Sequence, residues 1–244
     1  MRSWFIAPVI LIALQGDAPA QEPAPPGGLV FLVGGVGGLE NLKHATNWAV
    51  RNAKLDCEVR EFNWTHGKGH ILRDLQDTRH HEAKTAELVR LIVDAREQEP
   101  ERPIYLIGRS GGSVLALTAA GQLPPETLER IILLSPAVSP SFDLRPALRA
   151  CKHEIVNFHS DLDLFVLGWG TTQFGTADRF YTPSAGLAGF VKPGEGDDES
   201  RDLYRRLVQV RWTPSKILRG HPGGHIGTAI PTFLASDVTP WLKP

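Results

Sequence analysis

The chain lacks an excess of either charge: 26 lysines and arginines stand against 27 aspartates and glutamates in 244 residues, a formal net charge of −1. Its basic residues are dispersed rather than gathered into runs, so nothing electrostatic points to nucleic acid as a partner. Cysteine is scarce as well. Cys57 and Cys151 are the only two, which permits one disulfide in an oxidising compartment without implying it. Cys57 begins a predicted strand and Cys151 precedes another, positions that suit separate small core residues better than a bridge. There are no repeats or heptads, and no stretch long enough to cross a bilayer. The longest apolar run, Trp4 to Leu14, is interrupted by Pro8 and falls well short of the roughly 20 residues a membrane span requires.

That run does have a reading. It follows Met1-Arg2 and leads to Ala18-Pro19-Ala20 before Gln21. A short positive region, a short apolar region and an Ala-x-Ala site are the parts of a secretory signal peptide. Residues 1–20 are therefore expected to be a signal peptide, with an uncleaved anchor as the alternative, which would make the protein secreted or periplasmic. No cysteine adjoins the site to carry a lipid. Residues 21–28, rich in Pro and Gly, read as a flexible leader, and residues 29–244 as one domain.

Within that domain the pattern alternates between strands and helices. Apolar runs at Leu29–Val33, Ile104–Ile107 and Leu128–Leu134 read as buried strands, and Cys57–Trp64, Lys152–Phe158 and Leu207–Trp212 as further strands. Helical periodicity occupies Asn41–Lys54 and Arg79–Gln98, where Ala86, Leu88, Val89, Leu91, Ile92 and Val93 form the apolar side. A small-residue helix follows Gly112, and an interrupted helical segment runs from Thr228 to Leu242. This alternation predicts an α/β fold: a mostly parallel central sheet with helices on both faces. The link from Leu134 to Lys152 has room for one crossover helix and no large lid domain. The longer connection from Leu164 to Tyr204, rich in glycine and aromatics, is expected to shape the rim of a site.

One turn carries the chemistry. Residues 104–122 read as a strand, then Gly108-Arg109-Ser110-Gly111-Gly112, then a helix. A serine forced onto a tight strand-to-helix turn needs glycine two positions before and two after, so that strand and helix can approach. Gly108 and Gly112 are those glycines, which makes Ser110 a candidate nucleophile. Its hydroxyl needs a base, and the base an orienting acid. Asp163 follows the strand ending near Phe158. His225 lies in Gly220-His221-Pro222-Gly223-Gly224-His225, ahead of the closing helical segment.

The order Ser110, Asp163, His225 resembles that of the α/β-hydrolase superfamily over about residues 29–242. The resemblance implies a serine hydrolase acting on a small-molecule ester, thioester or related acyl compound, with no cofactor. It implies two backbone donors to an oxyanion, assigned by position to Val36, in the loop Gly34-Gly35-Val36-Gly37-Gly38, and to Gly111. Relatives often carry His-Gly in that early loop; this chain has none, but the donor is a backbone N–H. Asp161 competes with Asp163 for the acid, and the spacing from Ser160 to Asp163 to Val166 favours Asp163. His221 competes with His225 for the base, and Gly-Gly-His-x-Gly favours His225.

Weaker signals remain. Trp64 and His66 follow a strand end and are candidates for the site mouth or for plain packing. Arg109 could bias the site towards anions or lie in a surface ion pair. His80 and His81 are adjacent, so their side chains diverge on a helix, and no metal is expected there. Two other function classes stay open: a hydrolase-fold protein that binds without catalysing, and a dinucleotide-binding domain using Gly35-Val36-Gly37. Against the latter, Glu40 occupies the position of the third fingerprint glycine.

Overall fold

The computed structural model describes residues 27–38, 41–164, 176–192 and 198–243. The signal-peptide reading of residues 1–20 lies outside them, as does Val166. The strands are β1 (Gly28–Val33), β2 (Cys57–Phe62), β3 (Ile104–Arg109), β4 (Arg130–Leu134), β5 (Ile155–His159) and β6 (Leu207–Arg211). They form a single parallel sheet in the order β2-β1-β3-β4-β5-β6. This is the α/β class expected from the alternating pattern.

Central strands earn their place by composition. All six residues of β1 and all six of β3 are buried, as befits strands covered on both sides. Along β1 the side chains part by strict alternation: Leu29, Phe31 and Val33 join one apolar cluster, while Val30 and Leu32 join the other. The first cluster is closed by α3 (Thr78–Gln98), α4 (Gly112–Ala120), α5 (Arg145–Ala150) and the helix Asp198–Arg205. The second is closed by α1 (Leu42–Asn52) and the C-terminal segment. Helix α4, Gly-Ser-Val-Leu-Ala-Leu-Thr-Ala-Ala, is apolar around nearly its whole circumference because it is buried on nearly every side.

The sequence reading needs several corrections. Ala86 and Leu91 face solvent on α3, whose buried stripe is Thr85, Leu88, Ile92 and Ala95. A short helix, α2 (Ile71–Gln76), precedes α3. Leu128 makes only an isolated bridge to Cys151, so β4 begins at Arg130. The closing segment changes pitch repeatedly, from an α turn at Pro231–Phe233 through a π stretch at Leu234–Val238 to a 3-10 turn at Thr239–Leu242. Both cysteines are free, Cys151 buried and Cys57 partly so. Of the long connection after Leu164, the described parts include the helices Ala185–Ala188 and Asp198–Arg205.

Strand order decides where a ligand can sit. The chain winds from β1 outwards to β2, returns to β3 on the other side of β1, and continues away from it. At such a reversal the loops leaving neighbouring strands diverge and open a crevice at their carboxyl ends. The Gly34–Gly38 loop leaves β1 there, and Ser110 leaves β3 beside it.

Candidate active site

Ser110 sits at the tip of the turn between β3 and α4 with φ 50°, a left-handed conformation that is rare for a residue with a side chain. Backbone hydrogen bonds over-determine it. Its N–H donates to Leu134 O at 3.1 Å, and its carbonyl accepts from Ser113 N and Ala137 N, each at 3.1 Å. The flanking glycines are required by contact rather than by torsion. A methyl group on Gly108 would lie 3.0 Å from Ala116 Cβ, and one on Gly112 only 2.1 Å from Gly34 O.

Three side chains from three loops meet at this point. His225 Nε2 is 3.0 Å from Ser110 Oγ, and His225 Nδ1 is 2.7 Å from Asp163 Oδ2. An ionised carboxylate only accepts, so Nδ1 carries the proton and Nε2 is left to accept from the serine hydroxyl. Asp163 is 2 % exposed. Its loop is tied to the histidine loop by Ser160, whose Oγ donates to Gly223 O at 2.5 Å and whose carbonyl accepts from Asp163 N at 3.0 Å. Arg109 secures the other side: buried beneath the loop, it donates from Nη2 to His225 O at 2.9 Å. It therefore braces the histidine loop from below. Burial lowers its pKa to about 10, with Asp163 opposing, which leaves it charged at neutral pH.

The competing residues have other partners. Asp161 is paired with Arg211 at the surface, and that salt bridge lowers its pKa. His221 is buried. Its Nδ1 accepts from Gly223 N at 3.0 Å, and its ring meets Phe233 edge-on at 4.7 Å. Desolvation, with Lys216 adding to it, lowers the pKa of His221 to about 4, so this ring is neutral and serves the loop's architecture.

The two positions whose amides are assigned to the oxyanion lie close together. A methyl group on Gly111 would fall 3.8 Å from Val36 N and 2.7 Å from Val36 Cγ1. Neither amide donates to another described residue. Trp64 packs beneath them, fully buried, with Nε1 donating to Gly34 O at 2.8 Å. His66 is drawn away from the mouth to the buried carboxylate of Asp74, a residue that had no signal in the sequence. Beside His225 opens a cavity of about 670 Å³ lined by Asn41, His44, Ala45, Trp48, Arg109 and Ile226, among others. Among the described residues no group of three or more histidines, cysteines or carboxylates could hold a metal ion.

A family model described as "Serine aminopeptidase, S33" matches residues 66–227, a span that contains Ser110, Asp163 and His225. The chain belongs to this family. This S33-family hydrolase is an α/β hydrolase by fold as well. It is similar to TT1662 of Thermus thermophilus, with 15% identity over 91% of this chain and 92% of that one and a TM-score of 0.51. It also resembles LpqC, a poly(3-hydroxybutyrate) depolymerase of Bordetella parapertussis, with 15% identity over 89% and 86% of the two chains and a TM-score of 0.50. Likeness at that identity speaks for the fold alone. No curated protein matches the hydrolase.

Proposed function

We propose that this hydrolase cleaves an ester, thioester or related acyl bond through a covalent acyl-serine. Ser110 Oγ attacks the substrate carbonyl as His225 Nε2 takes its proton. The oxygen, now negatively charged, accepts from the Val36 and Gly111 amides. His225 then returns the proton to the leaving group, which departs and leaves the acyl group on Ser110. Asp163 holds the imidazole in the tautomer that can accept and stabilises the charge it acquires. Water, deprotonated by His225, attacks the acyl-enzyme and releases the acid and free Ser110.

The observation that carries this reading is the continuous hydrogen-bonded line from Ser110 Oγ through His225 to Asp163, at 3.0 and 2.7 Å. The family description names an aminopeptidase, and the same machinery can open an amide. We also infer export to the periplasm or the medium, on the strength of the residue 1–20 pattern.

The test uses a fluorophosphonate probe and p-nitrophenyl esters of increasing acyl length. The wild-type protein should be labelled and should turn over at least one ester, and Ser110→Ala should abolish both while the far-UV circular dichroism stays unchanged. A wild-type protein inert to the whole panel would instead support a binding protein on a hydrolase scaffold, and ester turnover that survives in Ser110→Ala would refute the assignment.

A further inference from the structure

The loop that carries Val36 is Gly34-Gly35-Val36-Gly37-Gly38, and four glycines in five residues cannot hold their own shape. Glycine ranges over more backbone conformations than any other residue. Here Gly37 and Gly38 take φ 77° and 54°. Something outside the loop must fix it, because an oxyanion donor acts only if it points to the right place before the charge develops.

What fixes it is a buried carboxylate. Asp74, on α2, is wholly inaccessible to solvent, and its Oδ2 accepts the Gly37 N–H at 2.7 Å. Its Oδ1 accepts the His66 N–H at 2.7 Å and faces His66 Nδ1 at 2.8 Å. The line continues outwards, since His66 Nε2 is 3.3 Å from Asp77 Oδ2. The Gly37 carbonyl in turn accepts from Gly69 N at 2.9 Å. A carboxylate removed from water is costly unless donors surround it, and here three N–H groups do so. Two of them belong to His66 and one to the amide immediately after Val36.

We propose that Asp74, held by His66, is a positioning residue for the reaction: it locks Gly37 and so aims the neighbouring Val36 amide at the oxyanion. The proposal rests on the acyl-transfer reading above. It assigns work to a carboxylate that does not touch Ser110, and it gives the buried acid a role through the Gly37 N–H that its Oδ2 accepts. Asparagine at this position keeps the size but replaces one acceptor with an NH₂, which must then face either Gly37 N–H or His66. The loop would lose its lock while Ser110 and His225, which Asp74 does not touch, stay in place.

The experiment compares wild type with Asp74→Asn on p-nitrophenyl acetate and measures inhibition by phenylboronic acid, whose tetrahedral adduct on serine carries an oxygen where the oxyanion forms. Misplacing one donor should lower kcat by about 10- to 100-fold. KM should stay within about threefold, and boronate affinity should weaken in step with kcat/KM. A merely structural role would lower the melting temperature without this split. A folded Asp74→Asn protein with wild-type kcat and boronate affinity overturns the proposal and leaves the Ser110 reading standing; a wild-type enzyme without ester turnover removes the reading itself. Should Asp74→Asn fail to fold, His66→Ala keeps the carboxylate and loosens only its ring partner. It should lower kcat by about 3- to 10-fold at constant KM, and an unchanged kcat there is equally fatal.

Discussion

Arg109, the residue before the candidate nucleophile, donates to the backbone carbonyl of His225, the candidate base, at 2.9 Å. Two loops that are distant in the chain are thereby joined beneath the reacting atoms as well as at them. Arg109 is only 2 % exposed, so this bond to the histidine loop is made away from solvent.

Replacing it with an uncharged side chain of similar length should therefore act on the position of His225. Arg109→Met is expected to reduce kcat on p-nitrophenyl esters by about tenfold or more, since a displacement of 1 Å can cost on the order of 10²-fold. Fluorophosphonate labelling should slow in parallel while the Ser110 turn keeps its shape. Steady-state kinetics on the purified variant decide the matter, and an unchanged kcat would mean that Ser160 and Asp163 suffice to hold the loop.

The two aspartates of the 160–163 loop should separate cleanly. Asp163→Asn removes the acceptor that fixes the His225 tautomer, and a loss of about 10⁴-fold in kcat is expected. Asp161→Ala removes an exposed pair with Arg211 that water screens, and activity should stay within about twofold. Parallel assays of the two variants are sufficient, and a reversal of their order would move the acid to Asp161.

How much of this was legible beforehand varies with the range of the forces involved. The sheet was readable because buried parallel strands are written as local apolar runs, and the Ser110 turn because its glycines adjoin it. Helix α2 was not, because it inverts the usual pattern: Ile71 and Leu72 are exposed while Asp74 is buried. A buried aspartate looks like a surface one in sequence when its partners, Gly37 and His66, are held apart by 37 and 8 residues. The same limit applied to Arg109, whose acceptor lies 116 positions away. His221 could be set aside by motif, but its burial against Phe233 is a matter of how the closing segment packs.

His221 also makes stability depend on pH. Its folded pKa is near 4 against an ordinary 6.5, because burial opposes the charge and the nearby Lys216 adds to that opposition. As pH falls from 6.5 to 4 the unfolded chain takes up a proton that the folded one refuses. The contribution is thus fully present above pH 6.5 and lost progressively towards pH 4, at most about 3 kcal/mol in all. Urea unfolding across that range should show a shallower pH slope for His221→Gln than for wild type. Equal slopes would contradict the burial argument.

Two glycine substitutions test whether close approach or backbone freedom governs the Ser110 turn and the histidine loop. At Gly224 the backbone is extended, with φ −86° and ψ 179°, and a methyl group would meet nothing within 4 Å. Gly224→Ala should be neutral or stabilising by up to about 1 kcal/mol, because it restricts the unfolded chain without straining the folded one. At Gly112 the same methyl would lie 2.1 Å from Gly34 O and 2.7 Å from Val33 O, both of them backbone atoms that cannot swing aside. Gly112→Ala must push α4 away from the end of β1, and the glycine loop that starts at Gly34 moves with it. A loss of about 1–3 kcal/mol in stability is expected from such overpacking, together with a fall in kcat, because the Gly111 and Val36 amides sit on the two parts being forced apart. Chemical denaturation and ester kinetics on both variants check the contrast. If Gly112→Ala were as stable and as active as Gly224→Ala, the close packing of helix on loop would not be what shapes this site.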